Sequence, residues 1–198
     1  MSHPALSARD LTLGLIAGGR ARRLGGLDKA WLERDGQQQV LRLVARCGAA
    51  AGKTLVSANR DLGRYTAAGL GAVPDRIADA GPLAALDALA AACRSRWLLT
   101  LPVDIVDAPV DLVDMLVAGA SASGARARDE DGVQPLVALW RTDALREAAG
   151  AALAARELAV HALQARLGLA EVRLQGVRLG NLNTPDDLRA AGFQMQAP

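Results

Sequence analysis

Short, continuously apolar runs alternate along this chain with stretches whose apolar positions recur at helical spacing. Residues 11–17 are apolar almost throughout and end in Gly18-Gly19, the pattern of a buried strand. Over 40–50, Val40, Leu43, Val44 and Cys47 form the stripe of an amphipathic helix. Strands are predicted at 54–58 and 72–74, with a helix at 62–68 between them. Pro82, directly after Gly81, opens a helix through Leu83, Leu86, Leu89, Ala90 and Cys93, since proline is preorganised for the first helical position. Residues 97–103 are apolar and end at Asp104, as in a strand covered on both faces. Pro109 is expected to open a helix closed by Gly119. Strands at 125–128 and 135–140 flank the turn Asp131-Gly132, helices follow at 143–154 and 158–167, and 171–174 and 179–182 are short strand candidates. In Thr184-Pro185-Asp186-Asp187, threonine caps a helix, proline takes its first position and acids face its positive end; Gly192 closes it. The alternation predicts one α/β domain over 1–198, a three-layer α/β/α with a mostly parallel, mixed sheet, and a loose tail at 1–9.

Composition narrows the picture. Across 198 residues, 51% hydrophobic against 22% charged is a globular balance and excludes intrinsic disorder. Aromatics are only 3%, so Ala, Leu and Val must fill the core, with closely packed Ala-rich helices. A formal net charge of +2 does not argue for a nucleic-acid partner. Lys29 and Lys53 are the only lysines among 23 basic residues, a hint that position 29 requires the ammonium group, because arginine and lysine are not interchangeable at a tight phosphate site. Cys47 and Cys93 sit in predicted helices without a C-x-x-C spacing and read as buried free thiols. No apolar run reaches the length of a membrane span, and Asp10 together with Arg20, Arg22 and Arg23 argues against a signal peptide. The expected compartment is the cytoplasm.

The chemistry concentrates in Ile16-Ala17-Gly18-Gly19-Arg20-Ala21-Arg22-Arg23-Leu24-Gly25-Gly26-Leu27-Asp28-Lys29. A buried strand runs into glycines, which let backbone N–H groups approach an anion with no Cβ in the way. Arginines and a lysine follow to offset a polyphosphate. Such a loop leaves the carboxyl end of a strand, where open α/β sheets bind ligands. Neither common phosphate motif is present: Lys29 is followed by Ala30 rather than Ser or Thr, and no G-x-G-x-x-G follows the first strand. Asp104 ends a buried strand, where an unpaired carboxylate is expensive; it is a candidate cation ligand or a loop-fixing acid. Asp75 follows Pro74 as a recognition acid or a turn acid. Asn181 and Asn183 are substrate contacts or ordinary Asx turns. Asp79 and His161 read as turn chemistry and a core or surface histidine.

The segment resembles the signature of nucleotidyltransferases with the sugar-nucleotide-transferase-like, Rossmann-type fold. Its variant, with Ala-Gly-Gly, Arg-Leu-Gly-Gly and Asp-Lys, is similar to the molybdenum cofactor guanylyltransferase (MobA-type) family. Further pieces agree in order: Ser57-Ala58-Asn59-Arg60, Asp75, Gly81-Pro82-Leu83-Ala84, Leu101-Pro102-Val103-Asp104, Gln134-Pro135 and Asn181-Leu182-Asn183-Thr184-Pro185-Asp186-Asp187-Leu188. Ser57 stands where the family often has Asn, Val103 where it has Cys, and Ala85 where it has Gly. The resemblance implies an enzyme that uses GTP with Mg²⁺ and transfers GMP to the terminal phosphate of molybdopterin or its molybdenum-loaded form, releasing pyrophosphate. It implies catalytic roles for Arg23, Lys29 and Asp104, with Asp104 on the metal. Nucleotide contacts are implied for Ile16, Ala17, Gly18, Gly19, Lys29, Ser57, Asn59, Asp75, Gly81 and Asp104, and substrate contacts for Asn181 and Asn183. Other molybdenum cofactor biosynthesis proteins are candidate partners; nucleic acid and membrane are not. Two alternatives stay open: a relative that uses CTP or acts on a sugar phosphate, and a non-catalytic nucleotide-binding module.

Overall fold

The apolar run near the N terminus becomes β1 (Leu11–Ile16), buried at every position, in a computed structural model that describes residues 6–18 and 28–194. The chain then forms β2 (Glu33–Arg34), β3 (Gln37–Gln38), α1 (Gln39–Cys47), β4 (Lys53–Ser57), α2 (Leu62–Ala67), β5 (Gly71–Val73), α3 (Pro82–Ala92) and β6 (Trp97–Pro102). It continues through α4 (Leu112–Ala118), β7 (Gly124–Asp129), β8 (Gly132–Arg141), α5 (Thr142–Ala154), α6 (Val160–Leu167), β9 (Ala170–Arg173) and α7 (Pro185–Ala190). The main sheet has the order β5-β4-β1-β6-β8-β7-β9. β8 runs antiparallel to both neighbours, and the other pairings are parallel, so the sheet is mixed and mostly parallel as predicted.

Alternation along the central strands divides the core into two layers, because successive side chains point to opposite faces. Leu11, Leu13, Leu15, Leu99 and Leu101 pack with Val40, Leu43, Tyr65, Leu112 and Leu116 of α1, α2 and α4. On the other face Leu98, Ala138 and Trp140 pack with Leu83, Leu86 and Leu89 of α3 and with Leu145, Ala149 and Leu163 of α5 and α6. Helix α3 is apolar nearly all round because it lies between the sheet and α5. A smaller cluster of Leu32, Leu182, Leu188 and Phe193 attaches α7. Both cysteines are buried and free. No helix of the described residues is long and apolar enough to cross a membrane.

Four expectations change. Residues 179–182 form no strand, although Leu179 accepts N–H bonds from Val106 and Asp107, and Leu182 donates to Asp104. Pro109 opens a turn, its carbonyl accepting from Leu112, and the helix proper starts three residues later at Leu112. Two short strands appear, β2 and β3, joined by Asp35-Gly36 with φ of 52° and 72°, the pairing a two-residue hairpin favours. The tail expected over 1–9 includes part of a 3₁₀ turn, Ala8–Asp10, whose Ala8 carbonyl accepts the Gly52 N–H.

Candidate active site

The chain leaves β1 for β4 and β5 on one side, then crosses to place β6 on the other, so the strand order reverses between β1 and β6. Open α/β sheets bind ligands in the crevice beyond the strand ends at such a point. A cleft of about 1060 Å³ opens there, lined by residues that follow β1, β4, β5 and β6. Ile16, Ala17 and Gly18, with Lys29, Asn59, Asp75, Gly81 and Asp104 from distant parts of the sequence, each expected at a nucleotide site, all line it.

Asp75 is held on both oxygens. Ser57 Oγ donates to Oδ1 at 2.9 Å and Asn59 Nδ2 to Oδ2 at 2.8 Å, while the Asp75 N–H donates to Asn59 Oδ1 at 2.9 Å. Gly18 lies against this arrangement: a Cβ there would stand 3.6 Å from Asn59 Nδ2 and 3.8 Å from Asp75 Oδ2. Ser57 itself does not reach the cleft. It is fully buried and its hydroxyl serves Asp75, so it stands behind Asp75 rather than among the residues lining the cleft, where it was expected. Gly81, at φ 61° and ψ −149°, occupies backbone space essentially reserved for glycine and turns the cleft wall into α3.

On the opposite side, Lys29 Nζ donates to Asn183 Oδ1 at 3.0 Å and stands 3.5 Å from Asp104 Oδ2. Asp28 caps the short 3₁₀ turn Lys29–Trp31, accepting the Ala30 N–H at 3.0 Å, and takes a second bond from the Tyr65 hydroxyl at 3.2 Å. Burial, with the Asp28 carboxylate beside it, pushes the Tyr65 phenol well above its ordinary value, so it remains a donor. Asn183 is delivered by the cap of α7. Thr184 Oγ1 accepts from the Asp187 N–H, and Asp187 Oδ2 accepts the N–H groups of Thr184 and Asn183. The Thr184 side chain first, then the N–H groups of Thr184 and Asn183 and the charge of Lys29, lower the Asp187 carboxyl below the ordinary carboxylate range. Asn183, expected to touch substrate, is placed here as an acceptor for Lys29. Asn181 is exposed and lies outside the residues lining the cleft. Arg23 and Gly19 fall outside the described residues.

Sequence reasoning passed over Asp28, Arg60, Asp79 and Leu136, all of which line the cleft. Arg60 and Asp28 stood inside the quoted motifs without a role, and Asp79 read as turn chemistry. Leu136 enters through an irregularity in β8 beside Pro135, where the register with β7 shifts. The donor set bears on a metal. Among the described residues no group of three or more His, Cys, Asp or Glu side chains could hold an ion. Asp104, one of the acids that line the cleft, has its side chain one-third exposed and fits a hard cation that takes one or two carboxylates and completes its sphere with phosphate oxygens and water.

Comparison with known proteins agrees with this geometry. A molybdenum cofactor guanylyltransferase of Cupriavidus taiwanensis is 34% identical over 194 residues, covering 92% of this chain and 97% of that one. A protein of the same name from Cupriavidus necator is 35% identical over 193 residues, covering 92% and 96%. The crystal structure of molybdopterin-guanine dinucleotide biosynthesis protein A from Archaeoglobus fulgidus superposes with a TM-score of 0.67 at 17% identity, covering 91% of this chain and 96% of that one, and so shares its fold. The model of the MobA-like NTP transferase domain matches residues 14–169, which contain the end of β1, the lysine turn, Asp75 and Asp104. With a family match over most of its length and relatives alike over 92% of it, the chain belongs to the MobA-like NTP transferase family.

Proposed function

We propose that this protein is a molybdenum cofactor guanylyltransferase, transferring GMP from GTP to the terminal phosphate of molybdopterin, or of its molybdenum-loaded form, with release of pyrophosphate. One observation carries the reading: Lys29 and Asp104, which follow different strands, meet 3.5 Å apart in the cleft that Gly18 and Asp75 also line. The names of relatives alike over nearly the full chain point to the same substrates.

Little covalent work falls to the protein in such a transfer, so positioning and charge neutralisation carry the catalysis. Asp75, held by Ser57 and Asn59, keeps acceptor capacity for the N–H edge of guanine. The backbone at Ala17 and Gly18 lets the nucleotide lie close to the sheet. Lys29 neutralises the β- and γ-phosphates and, as an oxygen of the acceptor phosphate bonds to the α-phosphorus and the α–β P–O bond breaks, stabilises the departing pyrophosphate. Arg23 would add to that charge. Asp104 would hold Mg²⁺, which when bound supplies further neutralisation of the phosphate oxygens. The site would operate in the cytoplasm, where GTP and Mg²⁺ are supplied.

The test is pyrophosphate release from GTP in the presence of Mg²⁺ and molybdopterin, run beside CTP, ATP and UTP. Release with GTP, and a guanine dinucleotide as the product, is the expected result. Preference for CTP would overturn the base assignment. Nucleotide binding without release from any of the four would show a non-catalytic module.

A further inference from the structure

Beyond the strand end at Pro102 the backbone that carries Asp104 loses its neighbours in the sheet. β1 ends at Ile16, whose carbonyl still accepts the Val103 N–H at 3.1 Å, and the pairing with β8 extends only as far as Thr100. Yet Val103 and Ile105 are buried, at 5% and 0% exposure, so their carbonyls need donors away from water. One side chain provides both. Gln39, the first residue of α1 and fully buried, donates from Nε2 to the Ile105 carbonyl at 2.6 Å and to the Val103 carbonyl at 3.3 Å. A carboxamide suits the task because its NH₂ group carries two donors. The flipped amide would set oxygen against two carbonyl oxygens. The residue between the two clamped carbonyls is Asp104, and its own carbonyl accepts the Leu182 N–H at 2.7 Å.

We propose that Gln39 is a positioning residue for Asp104: by clamping the carbonyls on either side, it sets the direction in which the carboxylate enters the cleft. The proposal rests on the reading of Asp104 as the cation ligand. Groups that hold a ligating carboxylate in place characteristically change metal affinity by about 10- to 100-fold when removed. Gln39 was not among the candidates read from sequence, where it is one of three consecutive glutamines, Gln37, Gln38 and Gln39.

The experiment uses the full chain with GTP and Mn²⁺, following loss of the free-Mn²⁺ signal by electron paramagnetic resonance. Gln39→Met, which keeps length and loses both donors, is expected to weaken Mn²⁺ binding to the GTP complex by about 10-fold. GTP binding measured by dialysis in EDTA should stay within about two-fold, since the nucleotide contacts are untouched. In turnover, the Mg²⁺ concentration for half-maximal rate should rise while KM for GTP holds. A merely structural defect would lower melting temperature and GTP binding together. Gln39→Glu, whose buried acid in the neutral form can donate one bond, should fall between the unmodified chain and Gln39→Met. Should Gln39→Met fail to fold, Gln39→Glu decides: Mn²⁺ affinity equal to that of the unmodified chain overturns the proposal. Asp104→Asn separates the two claims. If it binds Mn²⁺ normally, Asp104 is not the ligand and both readings fall; if it loses Mn²⁺ while Gln39→Met does not, only the role of Gln39 falls.

Discussion

Lys29 shows how much of this site turns on one side chain. Its ammonium is shared between a neutral acceptor, Asn183 Oδ1 at 3.0 Å, and a charged one, Asp104 Oδ2 at 3.5 Å, with the side chain only 15% exposed. A planar guanidinium does not occupy such a point between two acceptors in the same way. Lys29→Arg, although it preserves charge, should therefore lower kcat/KM for GTP by about 100-fold, and Asn183→Ala by about 10-fold, as judged by pyrophosphate release. Equal rates for Lys29→Arg and the unmodified enzyme would mean that only the charge matters there. The rarity of lysine already marked position 29 in the sequence. Asn183 was legible as a polar residue before a capped helix, but its partner lies 154 positions away and no local pattern names it.

Among the elements, the hairpin of β7 and β8 departs most from its pattern. Pro135 lies within β8, where the missing N–H would break an ordinary ladder. The structure accommodates it where the register with β7 shifts, and its carbonyl takes a bond from Gln164 Nε2 at 2.8 Å. The turn itself depends on Asp129. Burial pushes its carboxyl up, but donors from the Leu179 N–H, Gln134 Nε2 and the N–H groups of Asp131 and Gly132 outweigh that and hold it below the ordinary carboxylate range. A carboxyl lowered by folding contributes stability that is fully present above its unfolded value and is lost as pH falls through the folded one. Asp129→Asn, which sets an amide nitrogen against N–H donors, should lose about 1–3 kcal/mol at neutral pH in urea unfolding and flatten the acid limb of the stability profile. An unchanged acid limb would remove Asp129 from that role. The same bonds explain why 179–182, apolar enough to read as a strand, stays irregular: Leu179 is pinned to Asp129 and to the segment after Asp104 rather than to a sheet edge.

For the molecule as a whole, the cleft keeps its shape only if the loop after β5 stays seated on α3. Arg76, next to Asp75, makes that attachment with two bonds to Asp87, at 2.8 and 2.9 Å; Asp87 is 1% exposed within the apolar helix. Arg76→Ala leaves a buried carboxylate uncompensated and should cost about 3 kcal/mol, whereas the double variant Arg76→Ala with Asp87→Leu should recover most of it. Chemical denaturation of both variants checks this; equal losses would show that the pair does not govern the seating. Neither residue stood out in the sequence, since a lone Asp in an Ala-Leu helix and an Arg after a turn look like surface charges. By itself the sequence determined the layers, the strand-to-glycine exit and the capped final helix, because periodicity, proline, glycine and capping act within a few residues. The strand order, the meeting of Lys29 with Asp104 and Asn183, the place of Ser57 behind Asp75 and the clamp of Gln39 on either side of Asp104 were decided by tertiary structure. Each is a contact between distant segments, and it exists only once the sheet has set their ends side by side.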